Sequence, residues 1–133
     1  TRDGFAVQWA VKQGLKIAIL SGGNEKAVGD RMRKLGVTEV HLGCEDKLES
    51  LKALCNNLNI PLNKVAYMGD DIPDLPAMKE VGLSVAPDDA VEEIRNVANY
   101  ISPKNGGQGC VRDLLEQAMR LKGIWASENA HKW

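Results

Sequence analysis

A chain of 133 residues is long enough for one compact domain and short for two. Hydrophobic residues at 44% support a real core, and charged residues at 26%, mixed in sign with a formal net charge of -1, give no electrostatic footprint for nucleic acid or an acidic membrane surface. No window approaches the roughly 18 apolar residues that span a bilayer, no signal-type segment stands at the opening, and Cys44, Cys55 and Cys110 form no CxxC pair, so reduced thiols in a cytoplasmic protein are expected.

Taken in chain order, Asp3-Gly4 is suited to open a helix with Asp3 as N-cap; Phe5, Ala6, Trp9 and Ala10 form its apolar stripe, and Gly14 ends it. Lys16 to Ser21 is a short apolar run that reads as a strand buried on both faces, as in a parallel sheet. Gly22-Gly23-Asn24 then turns into a helix lined by Val28, Met32 and Leu35 and closed by Gly36. The unit repeats. Val37 to Gly43 is a strand candidate, and Leu48, Leu51, Cys55 and Leu58 mark a helix by their spacing. Val65 to Met68 is the next buried strand and leads directly into Gly69-Asp70-Asp71-Ile72-Pro73-Asp74. A short helix at 77–81, a strand at 83–86, a helix at 90–97 and a last strand at Tyr100-Ile101 follow. Val111, Leu114, Leu115, Ala118 and Leu121 form the stripe of a final helix stopped by Gly123.

Strands alternating with helices predict βαβ units: an α/β domain over residues 1–123 with a parallel sheet covered on both faces. Residues 124–133 form a tail with Trp125, His131 and Trp133, and this tail is expected to dock on its own domain or a neighbour. His41 and His131 have no partner at useful spacing and receive no catalytic role.

In open α/β sheets ligands bind beyond the carboxyl ends of the strands. Three such ends carry Ser21-Gly22-Gly23, then Lys47, then the acidic loop. Ser21 can donate to a phosphate oxygen, and the glycines and following helix N-terminus suit close backbone approach to an anion. Lys47 can neutralise phosphate. Carboxylates are hard ligands suited to Mg²⁺, with Asp70, nearest the strand, the best ligand and Asp71 and Asp74 better placed to hold the loop. Each feature alone also has a plain reading: a solvated turn, a helix cap, a solvated lysine. Their co-location is what points to chemistry. Tyr67 and Met68 read as core.

The order Ser21, Lys47, Asp70 resembles the second, third and fourth motifs of the haloacid-dehalogenase superfamily of phosphohydrolases, and it rejects a two-component receiver, which places its acidic groups first. Arg2-Asp3-Gly4, Arg31, residues 65–86 and the stretch Gly106 to Arg112 resemble, more narrowly, the 3-deoxy-D-manno-octulosonate 8-phosphate (KDO 8-phosphate) phosphatase family, over essentially the whole chain. The resemblance implies a Rossmann-like fold without a large cap, a homotetramer, and Mg²⁺-dependent hydrolysis of a sugar-acid phosphate in lipopolysaccharide precursor synthesis. It implies that Asp70 ligates Mg²⁺, that Ser21 and Lys47 hold the phosphoryl group, and that Arg2, Asp3, Gly4, Gln8, Gly22 and Arg31 lie at the substrate. Gln8 and Gly23 stand where relatives carry arginine, which leaves the choice between an eight- and a nine-carbon sugar acid open.

The family's first motif, Asp-x-Asp, supplies the nucleophile and the general acid/base, and no such pair stands at a strand end here. In the family that strand lies between those at Ile17–Leu20 and Val65–Met68. The expectation is that it belongs to a segment upstream of Thr1 and that the 133 residues alone are inactive. The alternative is a non-catalytic relative serving oligomerisation or ligand binding.

Overall fold

The computed structural model describes residues 2–121, and of Arg2 and Leu121 only the backbone. The proposed tail at 124–133 lies outside the described residues. The architecture is α/β, with parallel strands flanked by helices: α1 (Arg2–Lys12), β1 (Ala18–Leu20), α2 (Lys26–Lys34), β2 (Glu39–His41), α3 (Lys47–Leu58), β3 (Ala66–Met68), α4 (Leu75–Glu80), β4 (Leu83–Ala86), α5 (Glu92–Val97), β5 (Tyr100–Ile101) and α6 (Cys110–Leu121). Short 3-10 turns precede β3, at Leu62–Lys64, and α4, at Ile72–Asp74. No inserted cap domain interrupts these elements among the described residues.

The strands fall into two sheets. β1 pairs with β2 in parallel, Ile19 opposite Val40, and β3, β4 and β5 form a second parallel sheet, Tyr67 opposite Ser84 and Val85 opposite Tyr100. β1 and β3 are therefore both edge strands among the described residues. This corrects the expectation that β1 is buried on both faces: Ala18 is exposed, Ile19 and Leu20 are half-buried, and Ala66 on β3 is exposed. Only the central strand β4 is well covered, with Ser84, Val85 and Ala86 buried.

Local signals explain where the site-bearing helices start and stop. Asp46 is extended, and its carboxylate accepts the Glu49 N–H at 3.1 Å, so Lys47 is the first residue of α3. Asn59, left-handed at φ 62°, ends the helix. α2 begins at Lys26, later than the Asn24 turn suggests, and its expected apolar stripe is partly open: Val28 is 41% exposed.

Two apolar clusters hold the domain. Leu51, Tyr67, Ala77, Met78 and Ile94 bring α3, β3, α4 and α5 together. Full burial of a side chain like Ile94 contributes about 1.5–3 kcal/mol. Trp9, Ala10 and Met119 join α1 to α6, and Ile17 connects that pair to the start of β1. Asp3 lies inside the first turn of α1 rather than ahead of it; its Oδ1 accepts the Arg112 N–H at 3.0 Å, so it caps α6 rather than its own helix. No helix among the described residues is long and apolar enough to cross a membrane.

Candidate active site

β1 and β2 carry their ladder on into the loops that follow them. Ser21 N–H donates to His41 O at 2.9 Å, Cys44 N–H to Ser21 O at 2.8 Å, and Gly43 N–H to Gly23 O at 2.8 Å. Gly43 is left-handed at φ 65°, and a side chain there would meet Asn24 Oδ1 at 2.6 Å, so glycine lets these two loops close on each other. Ser21 is thereby fixed beside the loop that ends at Lys47. Its Oγ accepts the Gly23 N–H at 3.2 Å, and its hydroxyl hydrogen has no acceptor among the described residues.

The acidic loop is organised around one buried carboxylate. Gly69 N–H extends the β3–β4 ladder to Val85 O at 3.1 Å, and the chain then folds back so tightly that a Cβ at Gly69 would lie 2.5 Å from Asp74 Cβ. Asp71 caps the 3-10 turn, accepting the Ile72 N–H at 2.7 Å. Asp74, 4% exposed, accepts four hydrogen bonds. Its Oδ2 takes the N–H groups of Asp70 at 3.1 Å and Asp71 at 3.4 Å. Its Oδ1 takes the Tyr67 hydroxyl at 2.7 Å and the Lys47 ammonium at 3.0 Å.

The electrostatics follow from this geometry. Burial alone raises the Asp74 pKa, but the bonds donated by Tyr67, Lys47 and Asp70 outweigh it and hold the carboxyl below its ordinary range. Tyr67 is pushed well above an ordinary phenol by burial and by Asp74, so it stays a donor. Asp70 is raised by loss of hydration and by the neighbouring charge of Asp74. A cation at Asp70 would relieve that crowding.

Of the residues expected at the site, Ser21, Gly22, Lys47, Asp70, Asp71 and Asp74 are brought to the ends of β1, β2 and β3. Gly22 is not sterically required, since a Cβ there would meet only Cys44 O at an ordinary 3.6 Å. Asp3, Gly4 and Gln8 lie on α1, against α6, and Arg31 is exposed on α2; the Arg2 side chain is outside the described residues. His41, expected to lack a partner, has one in Glu39 at 3.0 Å, at the surface. Tyr67 is the partner of the acidic loop that residue type and spacing did not single out. The available signal was a phenol in a buried strand: its hydroxyl must find a partner, and the acidic loop begins two residues later.

Among the described residues no group of three His, Cys, Asp or Glu side chains could hold a metal ion. Asp71 caps the turn with Oδ1, and Asp74 engages both oxygens with Tyr67, Lys47 and the loop N–H groups. The Asp70 side chain, which accepts no hydrogen bond from another residue among the described residues, is the one left to offer a cation. Mg²⁺ keeps several waters and takes one or two carboxylates, so a single ligand from this loop fits it.

A parallel α/β scaffold with a hydroxyl, a lysine and an acidic loop at successive strand ends defines a class, and the family description of haloacid dehalogenase-like hydrolases matches residues 44–114. The chain belongs to this family. Within it, the chain is 37% identical over 122 residues to the 3-deoxy-D-manno-octulosonate 8-phosphate phosphatase KdsC of Escherichia coli K12, covering 92% of this chain and 65% of that protein. It thus spans 65% of the length of the curated relatives it matches first. The crystal structure of the corresponding phosphatase from Yersinia pestis superposes with a TM-score of 0.89 at 34% identity, over 92% of this chain and 66% of that one. The Moraxella catarrhalis enzyme, crystallised with magnesium, phosphate and KDO, gives a TM-score of 0.86 at 34% identity, over 98% and 72% of the two chains.

Proposed function

We propose that these residues form the greater part of a Mg²⁺-dependent phosphatase that releases phosphate and 3-deoxy-D-manno-octulosonate from the corresponding 8-phosphate, in lipopolysaccharide synthesis. The observation that carries this reading is the Asp74 hub. One buried carboxylate fixes a cationic side chain, Lys47, and the backbone of an open carboxylate, Asp70, at neighbouring strand ends. That is the pairing phosphoryl transfer needs: positive charge aimed at the phosphoryl oxygens, and a ligand for a divalent ion beside it. The likeness to phosphatases of this specificity supports the substrate.

Lys47 has three N–H donors and gives one to Asp74, leaving two for phosphoryl oxygens. Ser21 donates its hydroxyl hydrogen to a third oxygen. Asp70 would hold the Mg²⁺, which when bound supplies Lewis-acid charge stabilisation to the transferring group. Asp71 and Asp74 keep the loop in register. The nucleophilic carboxylate is assigned to a strand seated between β1 and β3, each of which has one ladder edge without a strand partner among the described residues. A homotetramer in the cytoplasm belongs to the same reading, and light scattering of the full-length protein tests the assembly.

Phosphate release by the full-length protein, from the eight-carbon substrate and from a nine-carbon sugar-acid phosphate, tests the function. The expected result is Mg²⁺-dependent turnover that favours the eight-carbon compound. Asp70→Asn should lower kcat by about 100-fold or more, the scale of losing one aligned electrostatic element. Near-normal turnover by that variant would refute the metal assignment, and preference for nine carbons would reassign the substrate.

A further inference from the structure

We infer that Tyr67 is a positioning residue for Lys47: by sharing Asp74 Oδ1 with the ammonium, its hydroxyl sets where the lysine points and how much of its charge reaches a phosphoryl group. This rests on the phosphatase reading above and goes beyond it, since that reading gives Tyr67 no role and its hydroxyl bonds to Asp74.

One carboxylate accepts about four hydrogens. Asp74 uses all of that capacity: two backbone N–H groups on Oδ2, the phenol and the ammonium on Oδ1. Lys47 therefore approaches Oδ1 only along the direction that Tyr67 leaves open. A lysine ammonium is a compact charge on a flexible four-carbon stem and has no geometry of its own. Its aim has to come from its anchor, and Tyr67 is the rigid part of that anchor. The tyrosine sits in the middle of β3, 9% exposed, with its ring in the main core. Phenylalanine would serve that core equally well. A buried hydroxyl costs desolvation unless bonded, and the hydrogen bond this one makes is to Asp74 at 2.7 Å.

The consequence is electrostatic as well as steric. A neutral donor on Oδ1 draws off part of the carboxylate's charge without adding a competing cation. Remove it, and Asp74 holds Lys47 more tightly and closer, so less of the lysine's charge and fewer of its hydrogens remain for the phosphoryl oxygens. The backbone of Asp70 hangs on the other oxygen, Oδ2, and should feel the loss far less.

Tyr67→Phe in the full-length protein tests this, with inorganic phosphate as competitive inhibitor and Mg²⁺ as activator. Phosphate affinity is expected to fall by about three- to tenfold and KM to rise with it, the range of the net contribution of one ordinary hydrogen bond. The Mg²⁺ concentration for half-activation should stay within about twofold, because Oδ2 and its two N–H partners are untouched. Unchanged phosphate affinity would overturn the proposal. So would an equal loss of phosphate and Mg²⁺ affinity, which marks a loop that has simply come apart. 3-Fluorotyrosine at position 67, a stronger donor on the same ring, keeps the test open if the phenylalanine variant does not fold; it should tighten phosphate binding, and no change or a weakening would count against the idea. A wild-type protein without phosphatase activity would remove the phosphatase reading and this inference together, whereas an active wild type with an indifferent Tyr67→Phe removes only this inference.

Discussion

Two carboxylates in this chain are built on the same plan and do different work. Asp74 accepts the hydroxyl of Tyr67, and Asp113 accepts the hydroxyl of Tyr100, both at 2.7 Å. Asp113 also takes the Ser102 hydroxyl and the Gln117 amide, each at 2.8 Å, and so ties β5 to α6. In both, burial raises the carboxyl pKa and donated hydrogen bonds outweigh it, leaving the group below its ordinary range. The difference lies in the remaining partners. Asp74 is 4% exposed and holds a lysine and two loop N–H groups at the end of β3; the bonds of Asp113 are to neutral side chains, on a half-buried helix face. A satisfied carboxylate becomes part of a site when what it orders is a charge and a strand-end loop, and remains a structural clasp when what it orders is helix packing.

Asp74→Ala should break this parallel most severely. It strands an ammonium, a phenol and two N–H groups at once, and about 3–5 kcal/mol should be lost in urea unfolding, with phosphate release abolished. Gly69→Ala comes next. Its Cβ would press on Asp74 Cβ at 2.5 Å and Met78 Sδ at 2.8 Å, costing about 1–3 kcal/mol and displacing the hub from beneath the loop. Gly106→Ala, whose nearest neighbour would lie at 3.5 Å, should change stability by less than about 0.5 kcal/mol.

Asp113→Asn should cost about 1–2 kcal/mol near pH 7 and leave kcat unchanged. Because the folded-state pKa of Asp113 is depressed, the wild-type carboxylate contributes stability above the unfolded value, near 4, and loses it as pH falls through the folded one. The gap between wild type and variant should therefore close below about pH 4, and a gap constant across that range would show that the bonds, not the charge, carry the effect. Tyr100→Phe should be milder than Asp113→Asn, about 0.5–1 kcal/mol in thermal unfolding, since Gln117 and Ser102 still serve Asp113.

The strand-helix alternation, the three strand-end clusters and the loop N–H bonds of Asp71 and Asp74 were legible from residue type and spacing. Period and capping are local properties: a short apolar run between glycines, or Asp46 two residues before an apolar stripe, means nearly the same thing in any fold. The errors came where a partner distant in sequence decided the outcome. Asp3 looked like the cap of its own helix and instead caps α6, because the packing of Trp9 and Ala10 on Met119 brings Arg112 to it. β1 looked buried on both faces because its residues are apolar, yet burial depends on what lies alongside, and its second edge has no strand beside it among the described residues. Tyr67 looked like core, which its ring is; the bond its hydroxyl makes could not be read from spacing.

The sequence by itself determined which elements form, the order in which they follow, and that a hydroxyl, a lysine and an acidic loop stand at successive strand ends. The tertiary structure alone decided that Lys47, 27 positions before Asp74, shares one of its oxygens with Tyr67. Spacing can place two residues at the same edge of a sheet, but a hydrogen bond requires agreement within a few tenths of an ångström, and that is set by how α3, β3 and the turn at Ile72–Asp74 pack together.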